Sequence, residues 1–397
     1  MIIEAKLKGN VSRAAHPIGC KAALQKQIDY IKGQPRFDGP KKVLILGASS
    51  SYGLASRVVT AFGTGADTIG VSFEKGITDD RLATAGWWNN IFFKEEAEKE
   101  GLIAKNFIGD AFSNEMKEAV IEYVKNEFGG KIDLLVYSLA SGMRKDPDTG
   151  ITYRSVIKPI GETVSGTNIN LETGELYEQV IEPATEEEIE NTVKVMGGED
   201  WECWIHALNE AGVLTEGFKT TLYSYIGPEV TQAFYGAGTL GRAKRHAEDT
   251  ANTLNEILYE RIGGEAVICV SKAVTTKASA VIPTFPIYAS TLYKVMLEKG
   301  LHETPIMHKY RFFTDMFYGN ARELDGERRI RPDYWELRDD VQQEVTAIMA
   351  EVNQDNIHNL TAIDLFKKEF MELNGFEIEG VDYDEELDID ALKKLQP

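Results

Sequence analysis

The chain has 397 residues, 43% apolar and 27% charged, a composition that suits a soluble globular protein with a large core. Its formal charge of −20 argues against nucleic acid or an anionic membrane surface as a partner, because both select clustered Lys and Arg. Any phosphorylated ligand must therefore find local positive charge or helix N-termini.

The first ten residues lack the apolar core of a secretory signal, and no uncharged apolar run reaches the ~18 residues of a membrane span. Cys20, Cys203 and Cys269 are odd in number and show no metal-ligand spacing, so they are expected to be reduced and buried, in a cytoplasmic protein without a metal. Ala15 to Cys20 reads as a turn, with His16 as a structural residue, leading into a helix over 21–32.

From Lys41 the chain alternates strand and helix. Strands are expected over 42–47, 68–73, 102–108 and 132–138, and helices over 53–63, 89–100 and 114–128. That alternation predicts an α/β fold with a doubly wound parallel sheet. Val43 to Leu46 then meets Gly47, Ala48, Ser49, Ser50, Ser51, Tyr52 and Gly53 before helical spacing begins. A strand, a small-residue turn and a helix N-terminus make a phosphate site, since free N–H groups and the positive helix end favour an anion. The turn departs from Gly-x-Gly-x-x-Gly because Ser49 occupies the second glycine position, and a purely structural turn stays open.

Ligands of such sheets bind beyond the C-terminal strand ends, so the residues there are the candidates. Phe73-Glu74 closes the second strand; an acid there accepts from adenosine ribose hydroxyls and repels a 2'-phosphate, favouring NAD(H) over NADP(H). Glu74 lies 27 residues after Gly47, longer than the usual spacing of about 20. Asp110-Ala111 and Ser138-Leu139-Ala140-Ser141 follow the next two strands, as an adenine acceptor and a close-packed passage or as plain turn residues.

The alternation breaks over 144–182, where two turn signals predict a β-rich insertion above the ligand edge. Helices follow over 185–195 and 199–209, and then a fifth strand over 220–225, ending in Tyr225. A sixth strand is expected over 266–271, with Val274, Thr275 and Thr276 past its end. A buried or channel-lining helix is expected over 282–297, and an acidic helical extension over 320–397 with no catalytic signal.

The chemistry centres on Tyr235 and Lys244. Near a nicotinamide, such a phenol donates to the reacting oxygen while the ammonium orients the ribose and lowers the phenol pKa. The two stand nine positions apart, which at about 100° per residue would set them on opposite sides of one helix. Gly236, Gly238 and Gly241 are poor helix residues, so Tyr235 is expected ahead of the helix and Lys244 inside it.

The motifs Val-Leu-Ile-Leu-Gly-Ala-Ser-x-x-Tyr-Gly-Leu-Ala, Val-Ser-Phe-Glu, Tyr-Ser-Leu-Ala, Val-Met-Gly-Gly-Glu-Asp-Trp, Tyr-Ser-Tyr-Ile-Gly and Tyr-x8-Lys together resemble the trans-2-enoyl-CoA reductases. These belong with the long bacterial enoyl-acyl-carrier-protein reductases, and the likeness runs over essentially the whole chain, 1–397, as one extended Rossmann-type, short-chain-reductase-like domain. The resemblance implies a monomeric or weakly associated NADH-dependent reductase of short trans-2-enoyl-CoA, such as crotonyl-CoA. In it Tyr235 is the proton donor, Tyr225 a substrate contact and Lys244 a cofactor contact; Tyr225 and Tyr235 are both candidate donors to the thioester oxygen. Ser51 stands where many relatives have Gly, and a positive φ there would strain the turn.

Two other readings stay open. An enoyl-acyl-carrier-protein reductase would want a basic docking patch, for which Arg242, Lys244 and Arg245, or Lys309 and Arg311 with His308 when protonated, are candidates, although solvated faces or cofactor contacts are the simpler reading of both clusters. A nucleotide-sensing protein would bind NADH without turnover.

Overall fold

Val43 to Leu46 is apolar at every position because both faces of this strand are covered. In the structure, a computed structural model that describes residues 1–78 and 81–397, it is an interior strand of a seven-stranded parallel sheet. The sheet strands, in chain order, are β1 Lys42–Leu46, β2 Asp67–Ser72, β3 Ala104–Ile108, β4 Ile132–Tyr137, β5 Leu214–Ser224, β6 Glu265–Val270 and β7 Arg329–Ile330. Across the sheet they run β7-β6-β5-β4-β1-β2-β3. The order reverses between β1 and β4, and that switch point opens a crevice at the strand ends.

Side-chain alternation along β1 feeds two cores. Val43 and Ile45 pack with Leu54, Val58 and Phe93, under helices Ser51–Thr64 and Ala85–Lys99. Leu44 and Leu46 pack with Trp201, Trp204 and Leu254, under helices Glu199–Glu210 and Thr239–Ile262. Each fully buried aliphatic side chain contributes about 1.5–3 kcal/mol, so a charge at Leu44 or Ile45 would remove one face of the sheet.

A third core joins helix Phe285–Glu298 to helices Asp339–Glu351 and Ile363–Glu372 through Leu292, Val295, Val341, Val345 and Phe366. The stretch 144–182 holds two antiparallel hairpins, pairing Met143–Lys145 with Thr152–Arg154 and Val164–Ile169 with Leu176–Ile181.

Three elements differ from expectation. Strand β5 begins at Leu214 rather than 220, because its pairing with β4 shifts register before Lys219, where Gly217 takes φ +71° and interrupts the apolar pattern. Strand β7 is only two residues long and leaves no periodicity to read. Cys203 is exposed, not buried: Trp201, Trp204, Ile205 and Leu208 set the inward face of their helix, and position 203 falls outside it. His16 does serve structure, its Nδ1 accepting from the Gly19 N–H at 3.2 Å to cap helix Pro17–Lys32. No helix among the described residues is long and apolar enough to cross a membrane.

Candidate active site

A cavity of about 720 Å³ opens at the C-terminal strand ends, a size that accommodates a ligand of the small-molecule class. Its lining takes in every catalytic, substrate and cofactor candidate selected from the sequence except three. Ala48 is buried beneath the turn, and Gly53 packs so tightly that a Cβ would come within 2.0 Å of the Gly47 carbonyl oxygen. Thr275 turns away, its hydroxyl donating to Glu369 at 2.6 Å and lying 2.9 Å from the Tyr293 hydroxyl. In an extended segment alternate residues face opposite sides, so Val274 and Thr276 line the cavity and Thr275 does not.

The turn after β1 is built for close backbone approach. Gly47 takes φ +85°, and a Cβ there would sit 2.2 Å from the Ser138 carbonyl oxygen at the end of β4. Ser51 takes φ +51°, the left-handed conformation that costs a residue with a Cβ about 1–2 kcal/mol. The hydroxyls of Ser50 and Ser51 have no partner among the described residues, at the start of helix Ser51–Thr64, where the positive end and free N–H groups favour an anion. Among the described residues four lysines, Lys145, Lys244, Lys272 and Lys277, line the cavity against two acids, Glu74 and Asp110, a local balance opposite in sign to the −20 chain.

Glu74 is held in place by two hydroxyls: Ser49 donates to one carboxylate oxygen at 2.6 Å and Thr84 to the other. Gly86 makes the room, since a Cβ there would lie 2.0 Å from that carboxylate. An ionised carboxylate has about four acceptor sites, so lone pairs remain for ribose hydroxyls. Asp110 accepts from the Phe112 N–H at 2.9 Å through one oxygen and keeps the other. A dinucleotide fits these features at both ends: a phosphate turn with unclaimed donors, and an oriented acid beside it.

Tyr235 precedes helix Thr239–Ile262 and Lys244 lies within it. Gly241 permits the close stacking, because a Cβ there would meet the Tyr235 carbonyl oxygen at 1.8 Å. The Tyr235 hydroxyl has no hydrogen-bond partner among the described residues; its ring stands edge-on to Tyr225 with centroids 4.6 Å apart. Burial, and then the Glu336 charge, raise the Tyr235 phenol above its ordinary value. The expectation that Lys244 lowers it is therefore corrected: both causes of the shift, burial and the Glu336 charge, raise it. Lys244 itself is lowered to about 8 by burial, with Glu248 partly opposing, and its Nζ donates to the Tyr223 carbonyl at 3.5 Å.

Tyr225 lines the cavity, but its hydroxyl donates to Glu336 at 2.7 Å. Glu336 comes from the C-terminal extension, from which the sequence offers no catalytic signal. The basic patch of His308, Lys309 and Arg311 is likewise corrected. Lys309 is fully buried, donating to the Ser271 hydroxyl at 2.7 Å with its ammonium 3.3 Å from the Tyr223 ring centre. Burial lowers His308 to about 3, so it stays neutral, and Arg311 is taken by Glu303 at 2.6 and 2.7 Å. Nothing there is presented to a carrier protein. In the other cluster Arg242 and Arg245 are exposed while Lys244 turns to the cavity.

Residues 2–79 match a family model described as the NAD(P)H binding domain of trans-2-enoyl-CoA reductase, and 81–318 match its catalytic region. The trans-2-enoyl-CoA reductase (NADH) of Clostridium beijerinckii is 54% identical, with 100% of both chains covered. The chain belongs to the trans-2-enoyl-CoA reductase family. Among solved relatives, the trans-2-enoyl-CoA reductase of Clostridium acetobutylicum in complex with NADH superposes with a TM-score of 0.98 at 51% identity, covering 100% of each chain. The family also runs into the carrier-protein enzymes: an enoyl-acyl-carrier-protein reductase (NADH) of Photobacterium profundum is 52% identical over 100% of both chains.

Residues 324–387 match a model described as an enoyl reductase FAD binding domain. The residues present do not fit a flavin. Of this segment only Leu373 lines the cavity, and Val341, Val345, Phe366 and Phe370 are spent in the core against helix Phe285–Glu298. With those side chains committed to packing, no step is assigned to FAD.

Proposed function

We propose that this chain reduces the carbon–carbon double bond of a short trans-2-enoyl-CoA at the expense of NADH, as a cytoplasmic monomer or weak assembly. The observation that carries the reading is Tyr235, which lines the same cavity as the dinucleotide-type turn and Glu74 and whose hydroxyl has no hydrogen-bond partner among the described residues. The turn Gly47–Tyr52, Phe73-Glu74, Asp110-Ala111, Leu139-Ala140, Lys244, Val274 and Thr276 would hold the cofactor. When bound, NADH supplies the hydride that adds to the β-carbon.

Negative charge then develops on the thioester oxygen as an enolate. A donor already aimed at that oxygen lowers the barrier because it acts where charge appears. Tyr235 meets the requirement: burial keeps its phenol protonated, and no partner among the described residues competes for the proton. The same hydroxyl, or a water it orders, returns a proton at the α-carbon. Lys244 supplies positive charge to the cofactor ribose, and Tyr225 forms the wall beside the acyl group.

Loss of NADH absorbance on adding crotonyl-CoA tests the reading. Turnover only with an enoyl-acyl-carrier protein would replace it with the carrier-protein reaction, and binding of NADH without oxidation would make the chain a sensor. Glu74 is expected to set cofactor choice: Glu74→Ser should raise kcat/KM with NADPH by at least about tenfold, through lost repulsion of the 2'-phosphate. Wild-type preference for NADPH over NADH would refute that role.

A further inference from the structure

Tyr225 and Tyr235 stand together in the cavity wall, yet only one of them has a proton to give. A phenol carries a single O–H, and a carboxylate only accepts. Tyr225 directs its hydroxyl at Glu336 Oε1 over 2.7 Å. Tyr288 does the same over 2.7 Å, while its own oxygen accepts from the Gln342 amide at 3.3 Å. The other carboxylate oxygen, Oε2, accepts the Ala273 backbone N–H at 2.6 Å. Glu336 is fully buried and reaches the site at the end of a short turn over Pro332–Trp335.

Resting on the reductase reading above, we infer that Glu336 is a positioning residue for the reduction: by accepting the hydrogen bond of the Tyr225 hydroxyl it leaves Tyr235 as the phenol that donates to the reacting oxygen, and fixes its ring from the side.

The arrangement ties three parts of the fold to one carboxylate. Tyr225 lies just past β5, Ala273 follows β6, and Tyr288 sits in the helix Phe285–Glu298. Strand ends and helix are thereby locked in register around the cavity. The edge of the Tyr225 ring meets Tyr235 at 71° between planes, and Phe285 stands against both rings, with centroids 6.2 and 6.4 Å away. With Tyr225 anchored at its hydroxyl, the Tyr235 ring is bounded by aromatic neighbours whose own positions are fixed. The segment that matches a flavin-binding model thus serves the site through Glu336, not through a cofactor.

The test uses the full chain with NADH and crotonyl-CoA. Tyr225→Phe keeps the ring and removes the link; Glu336→Gln keeps the volume but places an amide against either the Ala273 N–H or the Tyr225 oxygen. Each should lower kcat by about ten- to a hundredfold through misplacement of the Tyr235 phenol, with KM for NADH within about twofold. Both break one link, so the double variant should be no worse than the poorer single. Tyr288→Phe removes a neighbouring bond to the same carboxylate and leaves the Tyr225 link, so its kcat should stay within about threefold of wild type.

A severe Tyr225→Phe loss beside wild-type turnover in Glu336→Gln would overturn the inference and make Tyr225 a direct donor to substrate. So would losses that multiply in the double variant. If Glu336→Gln fails to fold, the two Phe variants decide: equal losses in Tyr225→Phe and Tyr288→Phe mean that Glu336 only braces the fold. Absence of any wild-type turnover with crotonyl-CoA bears instead on the parent reading.

Discussion

Replacing Tyr235 by Phe is expected to lower kcat with crotonyl-CoA by about 10²–10³-fold, the loss that follows removal of one donor from a developing oxyanion. Binding of NADH should change by less than about twofold, because the hydroxyl makes no bond among the described residues that its removal would leave unpaired. The ring still packs against Tyr225 and Phe285, so the fold loses nothing that Phe does not restore. An interaction made only in the transition state lowers kcat and kcat/KM together, and steady-state kinetics with a separate NADH titration measures both. Near-normal turnover would remove Tyr235 from the chemistry. Substituting Ala opens a cavity as well and answers a different question.

The sheet and most of its site follow from local rules visible in sequence. Val43 to Leu46 declares a strand covered on both faces, and residues just past strand ends, such as Glu74 and Asp110, fall on the ligand edge by topology alone. The three glycines after Tyr235 place it ahead of its helix, and Ser51 takes the positive φ that the turn demands. Side-chain direction within an irregular loop is less legible: Thr275 faces Glu369 and Tyr293, a choice made by helices far along the chain. Burial of charge is less legible still. Lys309 and His308 read as a basic patch, because nothing local says that Tyr52, Tyr223 and Phe312 enclose the ammonium. Glu336 carries no signal at all within an acidic extension, since its role exists only where three separate elements meet it.

Lys244→Met is expected to raise KM for NADH by about ten- to a hundredfold, the range for a hydrogen bond to a charged group. The wild-type pH profile gives a second, independent reading of the same residue. Burial lowers Lys244 from its ordinary value to about 8, so the ammonium is present below that pH and lost above it. The wild-type KM for NADH should thus be flat below pH 8 and rise toward tenfold per unit above it. In the Met variant the profile should be uniformly poor and flat. Lys309 is also lowered to about 8 by burial, and it lies beneath Tyr52 and Tyr223, which line the cavity. The two lysines are told apart by the variant: a break near pH 8 that survives in Lys244→Met belongs to Lys309 and refutes the assignment, whereas its disappearance places the titrating charge on Lys244.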